Sequence, residues 1–198
     1  MCGIFAYSGH QENAGEIVIK GLKKLEYRGY DSWGIAFNKN SKLDSIKQVG
    51  KIGEYDVKSA NIPTSEIAIG HSRWATHGGV TVENAHPHLD ENNDFAVVHN
   101  GIIENHEELR DELQKKGYKF KSSTDTETIV HLLADFSKSN DFLTAAKLTL
   151  KKLKGRYAVL LIKGGEHKII AARRGSPLIV GVGENEYFIA SDIPAFLE

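Results

Sequence analysis

The sequence predicts an α+β domain: two mainly antiparallel β-sheets with helices packed outside them. Three observations carry this class. Strand-like stretches open and close the chain, helical stretches interrupt them, and the regular strand–helix alternation of a parallel sheet is absent. With 198 residues the chain can enclose a substantial core and reads as one domain over 1–198, without repeats, low-complexity tracts or linkers.

The first strand is CGIFAY (2–7), a short apolar run with β-branched and aromatic residues. Residues 12–27 follow as a helix, because Ala14, Val18, Leu22 and Leu25 recur every three or four positions while Lys and Glu take the other face. YRGYDSWG (27–34) breaks that pattern with its two glycines. IAF (35–37) resumes as a strand, and KLDSIKQVGKI (42–52) adds another after the NKNS turn. EIAIGHSR (66–73) is a strand that ends in a long polar loop, 74–94. Ordered loops of that length in compact domains are often functional. FAVVHN (95–100) is a buried-type strand running into Asn100-Gly101, a dipeptide that by itself reads as a turn. NHEELRDELQKKG (105–117) is a helix with Asn105 as its cap, Glu108 at the capping-box position and Gly117 as its stop. Residues 124–138 form a second helix with Ile129, Leu132, Leu133 and Phe136 on one face, and residues 141–155 a third, again ended by glycine. RYAVLLI, HKIIAARR, PLIVGVG and YFIASD close the chain as strands separated by turn residues.

Composition removes several classes of function. Hydrophobic residues make up 40% and charged residues 26%, as in globular proteins, and the net charge is −1 with no basic stripe. Nucleic acid and anionic membrane surfaces are therefore not expected partners. The N-terminus lacks a basic region followed by a long apolar one, and no apolar run reaches the roughly 18 residues of a membrane helix. A single cysteine makes no internal disulfide and is compatible with a reducing compartment, so a cytoplasmic location is expected.

That cysteine is Cys2, directly behind the initiator methionine. A thiol is a strong nucleophile only as thiolate, and a free one titrates near ~8.5, so a base must take its proton. Removal of Met1 ahead of a small side chain leaves Cys2 with a free α-amine of pKa about 7.7–8.0. A nucleophile served by its own terminal amine is a chemically sound arrangement. The nine histidines offer another base, and His71, His77, His86, His88 and His99 also raise the question of a metal site. Their spacings match neither a zinc-finger pattern nor HExxH. Read singly, Asp125 and Glu127 are ordinary first-turn acids, Arg73 a surface charge and Cys2 a small apolar residue in a first strand.

Taken together and in order, MCGI, LEYRGYDSWG, HSRWATHG, NAHPH, VVHNGIIENH and STDTET resemble the glutaminase domain of class II glutamine amidotransferases, members of the N-terminal nucleophile hydrolases. Within that class, LEYRGYDS, RWATHG and HNGIIEN resemble the glutamine–fructose-6-phosphate aminotransferase (glucosamine-6-phosphate synthase) family, over a span from residue 2 to the SD of FIASD. The resemblance implies a four-layer αββα sandwich. It implies that Cys2 attacks the side-chain amide of L-glutamine, with its amine acting as base and then as acid. The Asn100 side chain and Gly101 N–H would stabilise the oxyanion. Arg73 would take the α-carboxylate of glutamine and Asp125 its α-ammonium. Trp74, Thr76 and His77 would close over the ligand, and Arg28 and His86 would support the site. No metal or cofactor is implied. Trp33 departs from the small residue the family pattern leads one to expect after YRGYDS, and is expected to be core filling.

The resemblance also implies a homodimeric parent whose sugar-phosphate isomerase region, absent from these residues, binds fructose 6-phosphate and receives the ammonia for the hexosamine pathway. The family's glutaminase domain runs on past FIASD, so a C-terminally truncated domain with an exposed sheet edge is expected. Other readings remain open beside this one. They are the glutaminase domain of another class II enzyme such as amidophosphoribosyltransferase, a non-catalytic glutamine-binding regulatory domain, and a histidine-based metal enzyme.

Overall fold

The computed structural model describes residues 2–57, 60–75 and 78–197. One sheet holds β1 (Gly3–Ser8), β2 (Ser32–Lys39), β3 (Lys42–Val49), β4 (Ile67–Arg73), β9 (Ile179–Gly183) and β10 (Glu186–Ala190), in the order β3-β2-β4-β1-β10-β9. The other holds β5 (His88–Leu89), β6 (Phe95–Ile103), β7 (Gly155–Lys163) and β8 (Ile169–Arg174), in the order β5-β6-β7-β8. The strand pairs within each sheet are antiparallel. The helices are α1 (Ala14–Lys24), α2 (His106–Lys115), α3 (Glu127–Ser137) and α4 (Phe142–Lys152).

Side-chain alternation along the strands builds the layers. Ile4 and Ala6 of β1 point between the sheets, where they meet Ile67, Ile69, Val98, Leu160 and Ile162. Phe5 and Tyr7 point the other way and pack with Val18 and Leu22 of α1. Beyond the second sheet, Val97, Tyr157 and Val159 pack under Ile129 and Leu133 of α3 and Ala146 of α4. The result is helix, sheet, sheet, helices: the four layers expected, with each fully buried aliphatic side chain contributing about 1.5–3 kcal/mol.

Four local features differ from the sequence reading, each for a physical reason. Strand β2 starts at Ser32, because Gly34 pairs with His71 of β4 at a place where an added Cβ would lie 2.4 Å from the His86 carbonyl oxygen. The glycine that broke the helical pattern is thus a strand residue leaving room for the loop above it. Strand β6 does not turn at Asn100-Gly101 but continues to Ile103, with Asn100 opposite Ala158 and Gly101 opposite Tyr157. Asn105 precedes α2 without capping it through its side chain. That amide instead bridges to the end of α4, donating to the Lys152 carbonyl at 3.0 Å and accepting from the Lys154 N–H at 2.9 Å. Helix α4 ends at Lys152, so Gly155, at φ +110°, opens β7 rather than stopping the helix. Trp33 is buried in the α1 layer, edge-on to Tyr55 with ring centroids 4.6 Å apart. Among the described residues no helix is long and apolar enough to cross a membrane.

Candidate active site

Antiparallel pairing brings the start of β1 beside the end of β4, with Gly3 opposite Ser72, so Cys2 and Arg73 emerge at the same sheet end. Strand β6 of the second sheet delivers Asn100-Gly101 to the same place. The Asn100 Nδ2 donates to the Cys2 carbonyl at 3.0 Å. Above them opens a cavity of about 200 Å³ whose lining includes Cys2, Arg73, Trp74, Gly101 and Asp125.

The Cys2 backbone and sulfur are both held. Its carbonyl also accepts from Arg28 Nε at 3.2 Å, while Arg28 Nη1 pairs with Asp192 at 2.6 Å. Asp192 accepts from the Tyr27 hydroxyl as well, at 2.7 Å. The sulfur accepts from the Trp74 backbone N–H at 3.3 Å. Burial pushes the thiol up from its ordinary pKa, against the Trp74 hydrogen bond and the positive charges of Arg73 and Arg28. The thiol therefore needs a base near neutral pH.

The buried histidines around it are poorly suited to that task. His71 and His86 stack with centroids 4.1 Å apart, and His88 meets His86 edge-on at 4.9 Å. Burial drives His71 and His88 down to about 3, and burial together with neighbouring imidazoles drives His86 well below its ordinary value. Such imidazoles are neutral and weakly basic. Their ring nitrogens serve the scaffold: His86 Nδ1 accepts the His99 N–H at 3.3 Å, His88 Nε2 meets the Thr124 hydroxyl at 3.0 Å, and His99 Nδ1 meets the Thr126 hydroxyl at 2.9 Å. Among the described residues, no group of three or more His, Cys, Asp or Glu is arranged to hold a metal ion.

The opposite wall comes from loops. Arg73 donates to the Gly79 carbonyl at 3.1 Å. Asp125 accepts the Ile103 N–H at 2.8 Å. Its loop is pinned by Glu127, which accepts from the Lys121 N–H at 2.8 Å, the Ser122 N–H at 2.7 Å and the Ser122 hydroxyl at 2.6 Å. Asn84 ties this loop to the 78–84 segment by accepting the Ser123 N–H at 2.9 Å.

Residues 71–198 match the family model described as a glutamine amidotransferase domain. The chain belongs to that family. It is 53% identical, over its whole length, to the glutamine–fructose-6-phosphate aminotransferase [isomerizing] of Aquifex aeolicus, covering 33% of that relative. It is 50% identical to the protein of the same name from Clostridium perfringens, again over its whole length and 32% of the relative. The chain thus spans about a third of the length of these relatives. Among solved structures, it superposes on a glutamine phosphoribosylpyrophosphate amidotransferase from B. subtilis complexed with ADP and GMP. The TM-score is 0.84 at 33% identity, over 98% of this chain and 43% of that one.

In this amidotransferase domain, Cys2, Gly101, Arg73, Trp74, Asp125 and His86 line the cavity, Asn100 reaches the Cys2 carbonyl beside it, and Arg28 stands behind Cys2. Met1, Thr76 and His77 lie outside the described residues. Trp33 is not among the residues lining the cavity. Sequence reading passed over four contributors. The Trp74 backbone N–H reaches the sulfur, and backbone donors leave no residue-type signal. Asp31 accepts the Ala75 N–H at 2.8 Å and so holds the start of the loop; it sits inside the YRGYDS stretch already singled out. Asp192, noted only as the end of FIASD, anchors Arg28. His71 was weighed as a metal ligand, and instead reaches Asn100 at 3.0 Å.

Proposed function

We propose that this amidotransferase domain, once Met1 is removed, hydrolyses the side-chain amide of L-glutamine to glutamate and ammonia. One observation carries the reading. The cysteine at the start of β1 meets Asn100-Gly101 of β6 in a cavity that also holds a buried arginine and an aspartate, while burial leaves the stacked His71 and His86 beside it weak as bases. The α-amine of Cys2 takes the thiol proton, and the sulfur attacks the amide carbon of glutamine. The amide oxygen becomes an oxyanion. Asn100 Nδ2 has two hydrogens, of which the Cys2 carbonyl takes one; the other, with the Gly101 N–H, serves the oxyanion. The protonated amine returns its proton to the departing nitrogen, which leaves as ammonia and yields a thioester. Water then adds to the thioester, and glutamate leaves with release of the thiol. Arg73 and Asp125 match the two charges of the substrate's α-carbon.

In the complete protein the ammonia would serve an acceptor. Relatives 50–53% identical over this whole chain are named for fructose 6-phosphate, which makes that sugar phosphate the proposed acceptor, bound by a region outside these residues. A homodimeric, cytoplasmic parent completes the proposal. The test is intact-mass analysis and ammonia release with wild type and Cys2→Ala. Wild type lacking Met1 should take one equivalent of a glutamine-like electrophile on residue 2 and release ammonia, and Cys2→Ala should do neither. Equal ammonia release by the two proteins, or release by material that retains Met1, overturns the amine-assisted mechanism. Assay of the complete protein with fructose 6-phosphate against phosphoribosyl diphosphate separates the two acceptors.

A further inference from the structure

We propose that His71 is a positioning residue for the oxyanion site: its Nε2–H fixes the Asn100 amide so that the NH₂ group, not the oxygen, faces Cys2. The proposal rests on the glutaminase reading for its kinetic consequence, but its geometric content stands apart from activity.

The argument begins with a group of unambiguous polarity. His71 Nε2 lies 3.0 Å from the backbone carbonyl oxygen of His99, which can only accept. Nε2 therefore carries the imidazole proton. The same Nε2 lies 3.0 Å from a side-chain atom of Asn100, and a ring N–H can share its proton only with an acceptor. That atom is the amide oxygen, so the NH₂ must point away from His71, toward the Cys2 carbonyl that it reaches at 3.0 Å. His71 is fully buried and its Nδ1 has no hydrogen-bond partner. It cannot switch to the other tautomer without leaving the His99 carbonyl and the Asn100 oxygen both facing a bare nitrogen, in a place water does not reach. Stacking against His86 holds the ring plane, and Gly34, opposite His71 on β2, lets the His86 segment come close. An amide flip at Asn100 would turn an oxygen toward the developing negative charge, replacing a stabilising donor with a repelling acceptor.

The test combines three measurements on the full chain. In ¹⁵N NMR, His71 should be the Nε2–H tautomer, and observation of the Nδ1–H tautomer overturns the proposal whether or not the protein is active. His71→Leu, which removes the donor, should lower kcat for glutamine hydrolysis about 10–100-fold, short of the 10²–10³ for outright loss of an oxyanion donor. KM and the rate of Cys2 alkylation by iodoacetamide, a displacement that forms no oxyanion, should stay within about two- to threefold if only transition-state stabilisation is touched. His71→Gln restores an N–H near the position of Nε2 and should recover most of the lost kcat. In an Asn100→Ala background, His71→Leu should add less than about twofold, because the amide it positions is gone. Equal kcat for the Leu and Gln variants, a full multiplicative effect in the Asn100→Ala background, or alkylation slowed as much as hydrolysis overturns it. Should His71→Leu fail to fold, the tautomer measurement and the Gln variant decide. If wild type and Cys2→Ala release ammonia equally, the glutaminase reading has failed and the tautomer measurement alone tests the geometry.

Discussion

The two walls of the cavity are built by different means. Cys2, Arg73 and Asn100-Gly101 stand on or beside strands, with Gly3 opposite Ser72 and Gly101 opposite Tyr157, so their positions are set by ladders of backbone hydrogen bonds. Trp74 and Asp125 stand on loops held by a few side chains: Asp31 under Ala75, Asn84 under Ser123, Glu127 under Lys121 and Ser122. On the proposed mechanism the difference follows a division of labour, with the strand-borne Arg73 as its exception. Bond-making groups must hold productive geometry closely, which rigid elements provide. Groups that admit and grip a ligand must yield, and a segment tied by single hydrogen bonds opens at low cost. Substitutions of Cys2, Asn100 or Gly101 should therefore appear in kcat, and those in the loop wall, like those of Arg73, mainly in KM.

The largest expected effect lies in the strand wall. Gly101 has φ +125°, and an added Cβ would lie 2.1 Å from the Arg156 carbonyl oxygen of the neighbouring strand. Gly101→Ala must shift β6 against β7 and displace the N–H aimed into the cavity. Its kcat should fall by about 10²–10³, the range for loss of one oxyanion donor. A Gly101→Ala protein with near-wild-type kcat would show that this N–H takes no part. The loop wall should respond differently. Asp125→Asn keeps an oxygen for the Ile103 N–H but loses the charge. KM for glutamine should rise about 10–100-fold, equivalent to ~1.4–2.8 kcal/mol, with kcat little changed. A substrate analogue lacking the α-ammonium should be turned over equally by both proteins, and a preserved Asp125→Asn defect with that analogue would refute the charge pairing.

The same division governed what could be read from sequence. The strand wall was legible through the ordered motifs that carry the family resemblance, since Cys2, Arg73 and Asn100-Gly101 each sit inside one, although the run FAVVHN alone placed the end of its strand too early and β6 continues to Ile103. The helices were legible from their apolar faces, and Ala14, Val18, Leu22 and Leu25 are all fully buried. What stayed hidden depends on long-range pairing. Ser32–Gly34 is strand because β3 and β4 flank it. Asn105 abandons its helix for the end of α4, a partner far along the chain. His71 carries no local sign of its acceptor, because the His99 carbonyl arrives from the other sheet.

The smallest predicted effect on turnover and substrate binding probes how the loop wall is held. Glu127 is buried at the start of α3. Burial opposes its ionisation, but His131 and the N–H and hydroxyl donors of Lys121 and Ser122 outweigh it and hold its carboxyl at about 2. His131 Nε2 lies 3.4 Å away, and the positive charge of Lys47 also acts on this cluster. A carboxyl whose folded pKa is depressed stabilises the fold fully above its unfolded value, about 4.3, and that stabilisation is lost as pH falls from there toward 2. Glu127→Gln replaces charge-assisted bonds by neutral ones. At neutral pH it should lose about 1.5–3 kcal/mol, since that is the typical contribution of a hydrogen bond to a charged group. For a domain of this size the melting temperature should drop by roughly 3–12 °C. The gap between wild type and Glu127→Gln should be widest at neutral pH and close between about pH 4.3 and 2, so melting curves across that window give the sign directly. KM should rise only severalfold, because Asp125 keeps its bond to β6. A gap that stays constant as pH falls would mean that the Glu127 charge does not hold the loop, and a large fall in kcat would mean that the two walls are not mechanically separate.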